Sequence, residues 1–337
     1  MVATVFRSSD ASAPVLTGQA GSMVALLDAC LVNGYGSKAA AGWTIPYTAV
    51  NKRSYKTGRV SGQNAYLYVD DTTTTQASCR GYLNMASAAD EGTGPFPPIR
   101  YNSTVIPLAY IYKSMTADAV ARPWTLIADD KTFYLFVDCG HLASGTGPSA
   151  FGFGEFYSYL ASDPSNFFIS APGITVSAQK TPLACINGIG GPAPVEGNLP
   201  VEWVAQGYSK QGGSVPMATA ISGALSGNVT QAAKTIGIPI AGAIVQPNPI
   251  DGSIFMSPVY VGECDYANVS KNVIRGTLRG LYAPGVTLTD KEQITGSGAL
   301  LGKTFLSVSC SAGAQSNGAN VALTSVCFEI SNAWATN

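Results

Sequence analysis

The residues of this chain that could carry out acid–base or metal chemistry are two adjacent aspartate pairs, two separate glutamates and one histidine. The aspartate pairs are Asp70-Asp71 and Asp129-Asp130. Each pair follows a strand-like run, where aspartate is favoured because its side chain can bond the local backbone of a turn. We therefore interpret both pairs as turn residues and not as metal ligands or acid–base carboxylates.

Glu155 and Glu202 lie in strand-like segments and are the carboxylates to consider for glycosidase chemistry. A glycosidase needs two carboxyl groups held about 5 to 10 Å apart, and the sequence contains no information on the distance between these two. His141 is the single histidine. With no serine or cysteine motif beside it, we interpret it as a structural or surface residue and not as a general base.

Short matches to enzyme motifs occur in three places, but none has its required context. Residues 177–180 (SAQK) and 56–58 (KTG) fit the SxxK and KTG elements of penicillin-recognising enzymes. In those enzymes KTG follows the serine and an SDN-type element lies between them, whereas here KTG comes first and SDN is absent. Residues 188–191 (GIGG) lack the third glycine of a dinucleotide fingerprint. We predict no catalytic, cofactor-binding or metal-ligating residues, and no enzymatic activity.

The seven cysteines are far apart and form no CxxC or Cys/His pair, which disfavours zinc. Two interpretations stay open: small apolar side chains in reducing cytosol, or disulfides that form after the protein leaves the cell. In the second case the odd number leaves a thiol free or bridged to another subunit. The cysteines are Cys30, Cys79, Cys139, Cys185, Cys264, Cys310 and Cys327.

The composition is poor in charge. Charged residues make up 12% of the chain, against roughly 25% in an ordinary soluble domain. Hydrophobic residues make up 46%, so much of the surface must consist of Ser, Thr, Asn, Gln and Gly. A weakly charged surface limits repulsion between neighbouring proteins and suits permanent association. The composition therefore favours a component of an assembly over a free monomer.

The balance and position of the charges argue against two kinds of partner. The formal net charge is −1, and like charges form no run longer than a pair, so we expect no nucleic-acid partner. The amino terminus lacks the continuous apolar core of an export signal, and the apolar stretch 236–245 is too short to span a bilayer. We therefore expect no membrane partner. Asn102, Asn228 and Asn268 begin glycosylation sequons, which we interpret as coincidental without an export signal.

The spacing of apolar residues predicts one amphipathic helix, over residues 22–33. Its apolar positions recur at helical spacing, with Ser22 as the expected N-cap and Gly34 at the position of a C-terminal cap. One or two further helical turns are predicted over residues 114–121. The apolar face of the first helix is Met23, Leu26, Leu27, Cys30 and Leu31.

The clearest hairpin covers residues 124–137. If Asp130 and Lys131 form a two-residue turn, one side of the ribbon pairs Ala128 with Phe133, Leu126 with Leu135 and Trp124 with Val137. The other side pairs Ile127 with Tyr134 and Thr125 with Phe136. Both sides are apolar, so we predict that the ribbon is covered on both faces. It carries no reactive group.

These elements predict an α+β, β-rich fold: antiparallel sheets, a few short helices and long Gly/Pro-rich connections. In the second half, strands are expected near residues 201–205, 254–261, 273–282, 305–310 and 321–330. The Gly/Pro-rich stretch 186–199 suggests a boundary. We accordingly expect an N-terminal domain, 1–185, with helix 22–33 and hairpin 124–137, and a mainly β C-terminal domain, 186–337.

Seven segments together carry a resemblance to known proteins, and the similarity is weakest over residues 180–250. Through them the chain resembles a group of tailed-bacteriophage virion structural proteins. The blocks lie in the scaffold, so the resemblance transfers no catalytic residues. They are PVLTGQAGSMVALLDACLVNGYG (14–36), GWTIPYTAVNK (42–52), YLYVDDT (66–72), EGTGPFPP (91–98), ADAVARPWTLIADDKTFYLFV (117–137), FGFGEF (151–156) and RGLYAPGVTLTD (279–290).

The resemblance implies a non-enzymatic virion component that is assembled in the host cytoplasm. The preferred hypothesis is a capsid decoration or linking (cement) protein. Its expected partners are copies of itself, with a trimer as the expected oligomer, and the major capsid protein or other virion proteins, with intermolecular disulfides as a further possibility. One alternative is a tail or baseplate structural protein. Another is a tail-tip protein that binds or degrades host polysaccharide, which would call for a solenoid repeat or clustered carboxylates.

Overall fold

The computed structural model describes the greater part of the chain, with gaps that are concentrated between residues 172 and 249. The described residues are 2–58, 64–101, 104–105, 108–139, 149–163, 165–171, 174–175, 198–199, 202–206, 215–218, 250–264, 272–284, 286, 288–310 and 324–334.

Strands make up 46% of the structure and helices 7%, which confirms the β-rich α+β class with antiparallel sheets. The helical elements are α1 (Ser22–Leu27), a π-helical segment (Asp28–Asn33) that continues it, and a 3-10 turn (Gly298–Leu300). The strands are β1 (Thr4–Arg7), β2 (Thr44–Ala49), β3 (Lys52–Lys56), β4 (Tyr66–Asp70), β5 (Gln76–Tyr82), β6 (Arg100–Tyr101), β7 (Thr104–Val105), β8 (Ala109–Tyr112), β9 (Trp124–Ala128), β10 (Thr132–Val137), β11 (Ser149–Ser158), β12 (Phe167–Ser170), β13 (Ile174–Thr175), β14 (Asn198–Leu199), β15 (Glu202–Val204), β16 (Val215–Ala218), β17 (Met256–Cys264), β18 (Asn272–Pro284), β19 (Gln293–Thr295), β20 (Thr304–Cys310) and β21 (Thr324–Glu329).

A twelve-stranded antiparallel sheet organises the fold, in the order β1-β9-β10-β11-β12-β15-β16-β17-β18-β21-β20-β19. Strand β11 changes partners along its length. Its first part pairs with β10 and β12, whereas Phe156–Ser158 pair with β18. As a result β11, β12, β15, β16, β17 and β18 form a closed ring. Closure leaves these strands without the unpaired backbone groups of a sheet edge.

The β9–β10 hairpin is the middle of three layers. One face packs on α1 and on a separate five-stranded sheet in the order β2-β3-β4-β5-β8. The opposite face packs on β17, β18, β20 and β21. Every residue of β9 and β10 is buried. The prediction that this ribbon is covered on both faces is therefore confirmed.

The predicted register of the hairpin is also confirmed, pair by pair. Ala128 lies opposite Phe133, Ile127 opposite Tyr134 and so on to Trp124 opposite Val137. The turn rests against β11 at Gly154, which has φ 135°, and a side chain there would collide with the Lys131 carbonyl. Only glycine adopts this backbone without strain. The FGFGEF segment therefore contributes a contact surface for the turn.

The predicted helix exists, but its N-terminal cap is different. Helical structure runs from Ser22 to Asn33, the expected apolar face is buried, and Gly34 has φ 76° at the C-terminal end. The N-cap is Gly21, and Ser22 is already helical. The Ser22 hydroxyl donates backwards to the carbonyls of Thr17 (2.8 Å) and Gln19 (2.9 Å). The prediction of Ser22 as the cap was wrong, because another part of the chain supplies the acceptor.

The helical turns predicted for residues 114–121 do not form. The Ser114 hydroxyl accepts from the Thr116 N–H (3.1 Å), and the Asp118 carboxylate accepts from the Val120 N–H (3.0 Å). Short polar side chains that bond the local backbone in this way compete with the helix. The strands expected in the second half are present as β15, β17, β18, β20 and β21.

The predicted division into residues 1–185 and 186–337 stays a prediction, because the boundary lies outside the described residues. Strands from its two sides do pair. Strands β11 and β12 precede the predicted boundary, and they pair with β18 and β15, which follow it. The twelve-stranded sheet thus draws on both halves of the sequence.

The middle layer generates a stability prediction for Trp124. Its side chain is 3% exposed, and its indole N–H donates to the Pro14 carbonyl (3.2 Å). We expect Trp124→Ala to lower the free energy of unfolding by about 3–5 kcal/mol, as measured by urea denaturation. Val50→Ala is the control, because Val50 is 84% exposed and its truncation leaves the core intact. Equal stability of the two variants would show that the hairpin is peripheral.

Candidate functional site

The aspartates that the sequence singled out lie in buried ion pairs and in turns. Among the described residues, three ion pairs have both partners at most 1% exposed: Asp71–Lys113, Asp129–Arg279 and Asp163–Arg275. The lysine and the two arginines were not identified from the sequence. The sequence feature that could have identified them is that each is a charged residue within or directly after an apolar strand pattern.

Asp129 stabilises the central hairpin and also carries a buried charge. One carboxylate oxygen accepts from the N–H groups of Lys131 and Thr132 (both 2.9 Å), as expected of a turn aspartate. Both oxygens also accept from the Arg279 guanidinium, Oδ1 at 3.1 Å and Oδ2 at 2.6 Å. Arg279 belongs to β18, so this pair ties the hairpin turn to the second half of the chain.

Several further groups hold the Arg279 side chain. It donates to the Thr132 hydroxyl (3.1 Å), and its guanidinium carbon lies 5.9 Å from the centre of the Trp334 ring. Gly280 has φ 66° and is in close contact with the same ring. The Tyr134 hydroxyl donates to the Arg279 carbonyl (3.0 Å). The guanidinium is thereby held in one geometry, as a buried ion pair requires.

Asp70 and Asp71 have different roles although they are adjacent. Asp70 is a turn residue, as predicted: its carboxylate accepts from the Thr72 N–H (3.1 Å) and pairs with Lys52 (2.7 Å) near the surface. Asp71 is buried. Its Oδ2 accepts from the N–H groups of Met23 (2.7 Å) and Val24 (3.2 Å). Asp71 therefore supplies the cap of α1 that was assigned to Ser22.

The third buried pair lies where β11 meets β18. Arg275 donates to both oxygens of Asp163, from Nε and Nη2 at 2.9 Å each. The Ser158 hydroxyl donates to the same carboxylate (2.8 Å). Arg275 also contacts the Gln206 carbonyl and lies over the Phe156 ring at 5.3 Å. Arg275 thus binds the Asp163 carboxylate in a bidentate manner, at the place where the pairing of β11 with β18 closes the ring of strands.

Glu155 lies on β11 opposite Phe167, and Glu202 lies on β15 opposite Ser170, three residues further along β12. Glu155 is 2% exposed, and its carbonyl accepts from the Thr132 hydroxyl (2.7 Å). The side chain of Glu202 lies outside the described residues, so glycosidase chemistry at these two carboxylates stays a hypothesis.

The KTG segment is structural. The Gly58 N–H donates to the Asp130 carbonyl (2.6 Å), and the Thr57 hydroxyl accepts from the Ala65 N–H (3.3 Å). Three other motif candidates lie outside the described residues: His141, the SAQK segment 177–180 and the GIGG segment 188–191. So do the sequon residues Asn102, Asn228 and Asn268.

Four cysteines are described with their side chains, and all four are buried free thiols: Cys30, Cys79, Cys139 and Cys327. Burial raises the pKa of Cys139 and of Cys327 to about 12, and it raises the pKa of Cys30 and Cys79 as well. A thiol kept protonated in the core is a poor nucleophile and metal ligand. The hypothesis of intermolecular disulfides therefore rests on Cys185, Cys264 and Cys310.

Among the described residues, no group of three or more His, Cys, Asp or Glu is arranged to hold a metal ion. None of the described helices is long and apolar enough to cross a membrane. Asp70, Asp71, Asp129 and Asp163 instead hold turns, a helix end and ion pairs. No protein-family model matches this chain, and no curated protein is significantly similar to it.

The Asp129–Arg279 pair generates a prediction about stability. Arg279→Met leaves the Asp129 carboxylate buried without its cation, so we expect a loss of about 3–5 kcal/mol of unfolding free energy. Lys52→Met is the matched control: it breaks the 2.7 Å pair with Asp70, which is partly exposed, and is expected to cost at most about 1 kcal/mol. Urea denaturation measures both. A loss for Arg279→Met as small as that of the control would contradict the structural role of the pair.

The buried thiols generate a second prediction. We expect Cys30, Cys79, Cys139 and Cys327 to stay unmodified when the native protein is treated with a maleimide, because each thiol is inaccessible and protonated. In denaturant all four should react. Peptide mapping by mass spectrometry identifies the modified positions. Modification of any of these four in the native protein, at the rate seen in denaturant, would show that the site is open to solvent.

Proposed function

We propose that this protein is a structural component of a bacteriophage virion, and specifically a capsid decoration or linking protein that stabilises the head. The observation that carries the proposal is that the segments resembling virion structural proteins pack against one another as a single scaffold. This packing supports a structural role, because the resembling segments lie in the scaffold.

The contacts between these segments are specific. Asp71, from segment 66–72, caps the helix of segment 14–36. Trp43, from segment 42–52, packs on the Phe133 ring (5.5 Å) and donates to the Asp129 carbonyl (2.8 Å), both in segment 117–137. Phe96, from segment 91–98, stacks on Phe153 of segment 151–156 (5.7 Å).

The last segment, 279–290, enters the same scaffold through Arg279 and its ion pair with Asp129. Each of the seven segments therefore contributes either a strand, a cap, a ring contact or a charge to one frame. A frame held by long-range contacts of this kind suits a rigid building block. We infer that its function is exerted at its surface, by contact with neighbouring subunits.

The surface supports this role. Few charges are available in the chain, and six of the described charged side chains are used in the three buried pairs. Exposed aliphatic side chains occur on separate parts of the molecule, among them Val50 (84% exposed), Ile250 (92%) and Leu301 (79%). A cement protein acts by burying such surface against several neighbours at once, so that many weak contacts add through multivalency.

The number of copies in purified particles tests the proposal. A decoration protein follows the symmetry of the capsid lattice, so we expect on the order of hundreds of copies per particle by quantitative mass spectrometry. The major capsid protein in the same sample provides the internal standard. A count of tens or fewer would favour the tail or baseplate instead and overturn the assignment to the head.

The cementing step is tested on shells that lack the protein. Adding the purified protein should raise the temperature at which the shells are disrupted. Variants with an aspartate in place of Val50, Ile250 or Leu301 keep the core intact, and a variant whose residue lies at a contact should lose part of the increase. No increase with the wild-type protein would exclude a cementing role.

A further inference from the structure

The buried Lys113–Asp71 pair has a geometry that no other ion pair among the described residues shares. Lys113 directly follows β8, Asp71 directly follows β4, and both side chains are 0% exposed. The Lys113 Nζ contacts Asp71 Oδ1 and also donates to the carbonyls of Gln19 (2.7 Å) and Thr73 (3.1 Å). On its other oxygen, Asp71 holds the two N–H donors of α1. The carboxyl carbon thus lies between an amine and a pair of backbone donors.

Both side chains of this pair are excluded from water. Separating an ammonium and a carboxylate from water is costly, and transfer of one proton from nitrogen to oxygen removes both charges. Burial also raises the pKa of the Asp71 carboxyl. In the neutral pair the amine keeps two N–H bonds, which match the Gln19 and Thr73 carbonyls. The nitrogen lone pair is then available to the carboxyl group.

We propose that Lys113 and Asp71 condense to an intramolecular isopeptide bond. The Nζ lone pair attacks Asp71 Cγ and forms the C–N bond, while negative charge develops on Oδ2. The Met23 and Val24 N–H groups that hold Oδ2 stabilise this charge, as an oxyanion hole does. A proton passes from nitrogen to Oδ1, the Cγ–Oδ1 bond breaks, and Oδ1 leaves as water.

The reaction is balanced without any further reagent. An amine and a carboxylic acid give an amide and one water molecule, and no oxidant or reductant takes part. Oδ2 becomes the amide oxygen and retains the N–H groups of Met23 and Val24. The remaining amide N–H keeps one of the two carbonyl acceptors, Gln19 or Thr73.

Other ion pairs of the described chain act as internal controls. Lys52 and Asp70 have the same residue types at 2.7 Å, but their side chains are 34% and 19% exposed, so water stabilises the charged form. Asp129 and Asp163 are as buried as Asp71, but their partners are arginines. A guanidinium stays protonated in proteins and is not a nucleophile. Only the Lys113–Asp71 pair combines a nucleophilic partner with exclusion of water.

The bond would close a loop between positions 71 and 113 and join the end of β8 to the turn that caps α1. A cross-link of this kind limits the freedom of the unfolded chain, as a disulfide does, but does not depend on redox conditions. The proposal is independent of the role in a virion.

The mass of the purified full-length protein tests the proposal. We expect it to be lower than the sequence mass by one water molecule, after allowance for removal of Met1. Trypsin should fail to cleave after Lys113, since its amine is acylated, and should release a branched peptide that joins Lys113 to Asp71. The peptides that contain Asp129 and Asp163 should be linear.

Two variants identify the reacting groups. Asp71→Asn should lose one molecule of ammonia instead of water, because Nζ would displace the amide nitrogen. Lys113→Arg should show the full sequence mass. If a variant does not fold, the wild-type protein still tests the proposal. A wild-type protein with the full sequence mass, cleavage after Lys113 and a linear Asp71 peptide would overturn it.

Discussion

A two-stranded ribbon that is apolar on both faces, with a buried ion pair at its turn, is the feature on which the rest of this structure depends. Because both faces of β9–β10 are apolar, neither can face water, and layers must form on each side. The turn is then also enclosed, and Asp129 carries its charge into the interior. Arg279, from the layer beyond, neutralises that charge at 2.6 Å. The order of the layers is therefore linked to the place where the hairpin turn meets β18.

The other two buried ion pairs also connect distant segments of the chain. Asp71 is joined to Lys113, 42 residues away, and Asp163 to Arg275, 112 residues away. A buried pair adds little net stability compared with apolar packing, but a fold that separates its partners leaves a charge unpaired in the core.

The buried ion pairs also explain why the aspartates considered in the sequence analysis form no active site in the described part of the chain. Asp70 holds a turn, and Asp71 and Asp129 connect distant segments. The surface is left weakly charged and carries scattered aliphatic side chains. These properties support the proposed role in a virion, since such a surface meets its neighbours with little electrostatic repulsion. Of the three buried pairs in the described part of the chain, only Lys113–Asp71 has a lysine as its cation.

The sequence by itself determined the local elements. The hairpin register, the extent of helix 22–33 and the strands of the second half follow from patterns of two or 3.6 residues, and the turn at Asp70 follows from the preference of aspartate for turns. Tertiary structure decided the partners: Asp71 as the cap of α1 in place of Ser22, and the cations at Asp71, Asp129 and Asp163. The physical reason is distance along the chain. Periodicity shows which face is apolar, whereas the partner of a buried charge depends on where segments 40 to 150 residues apart cross.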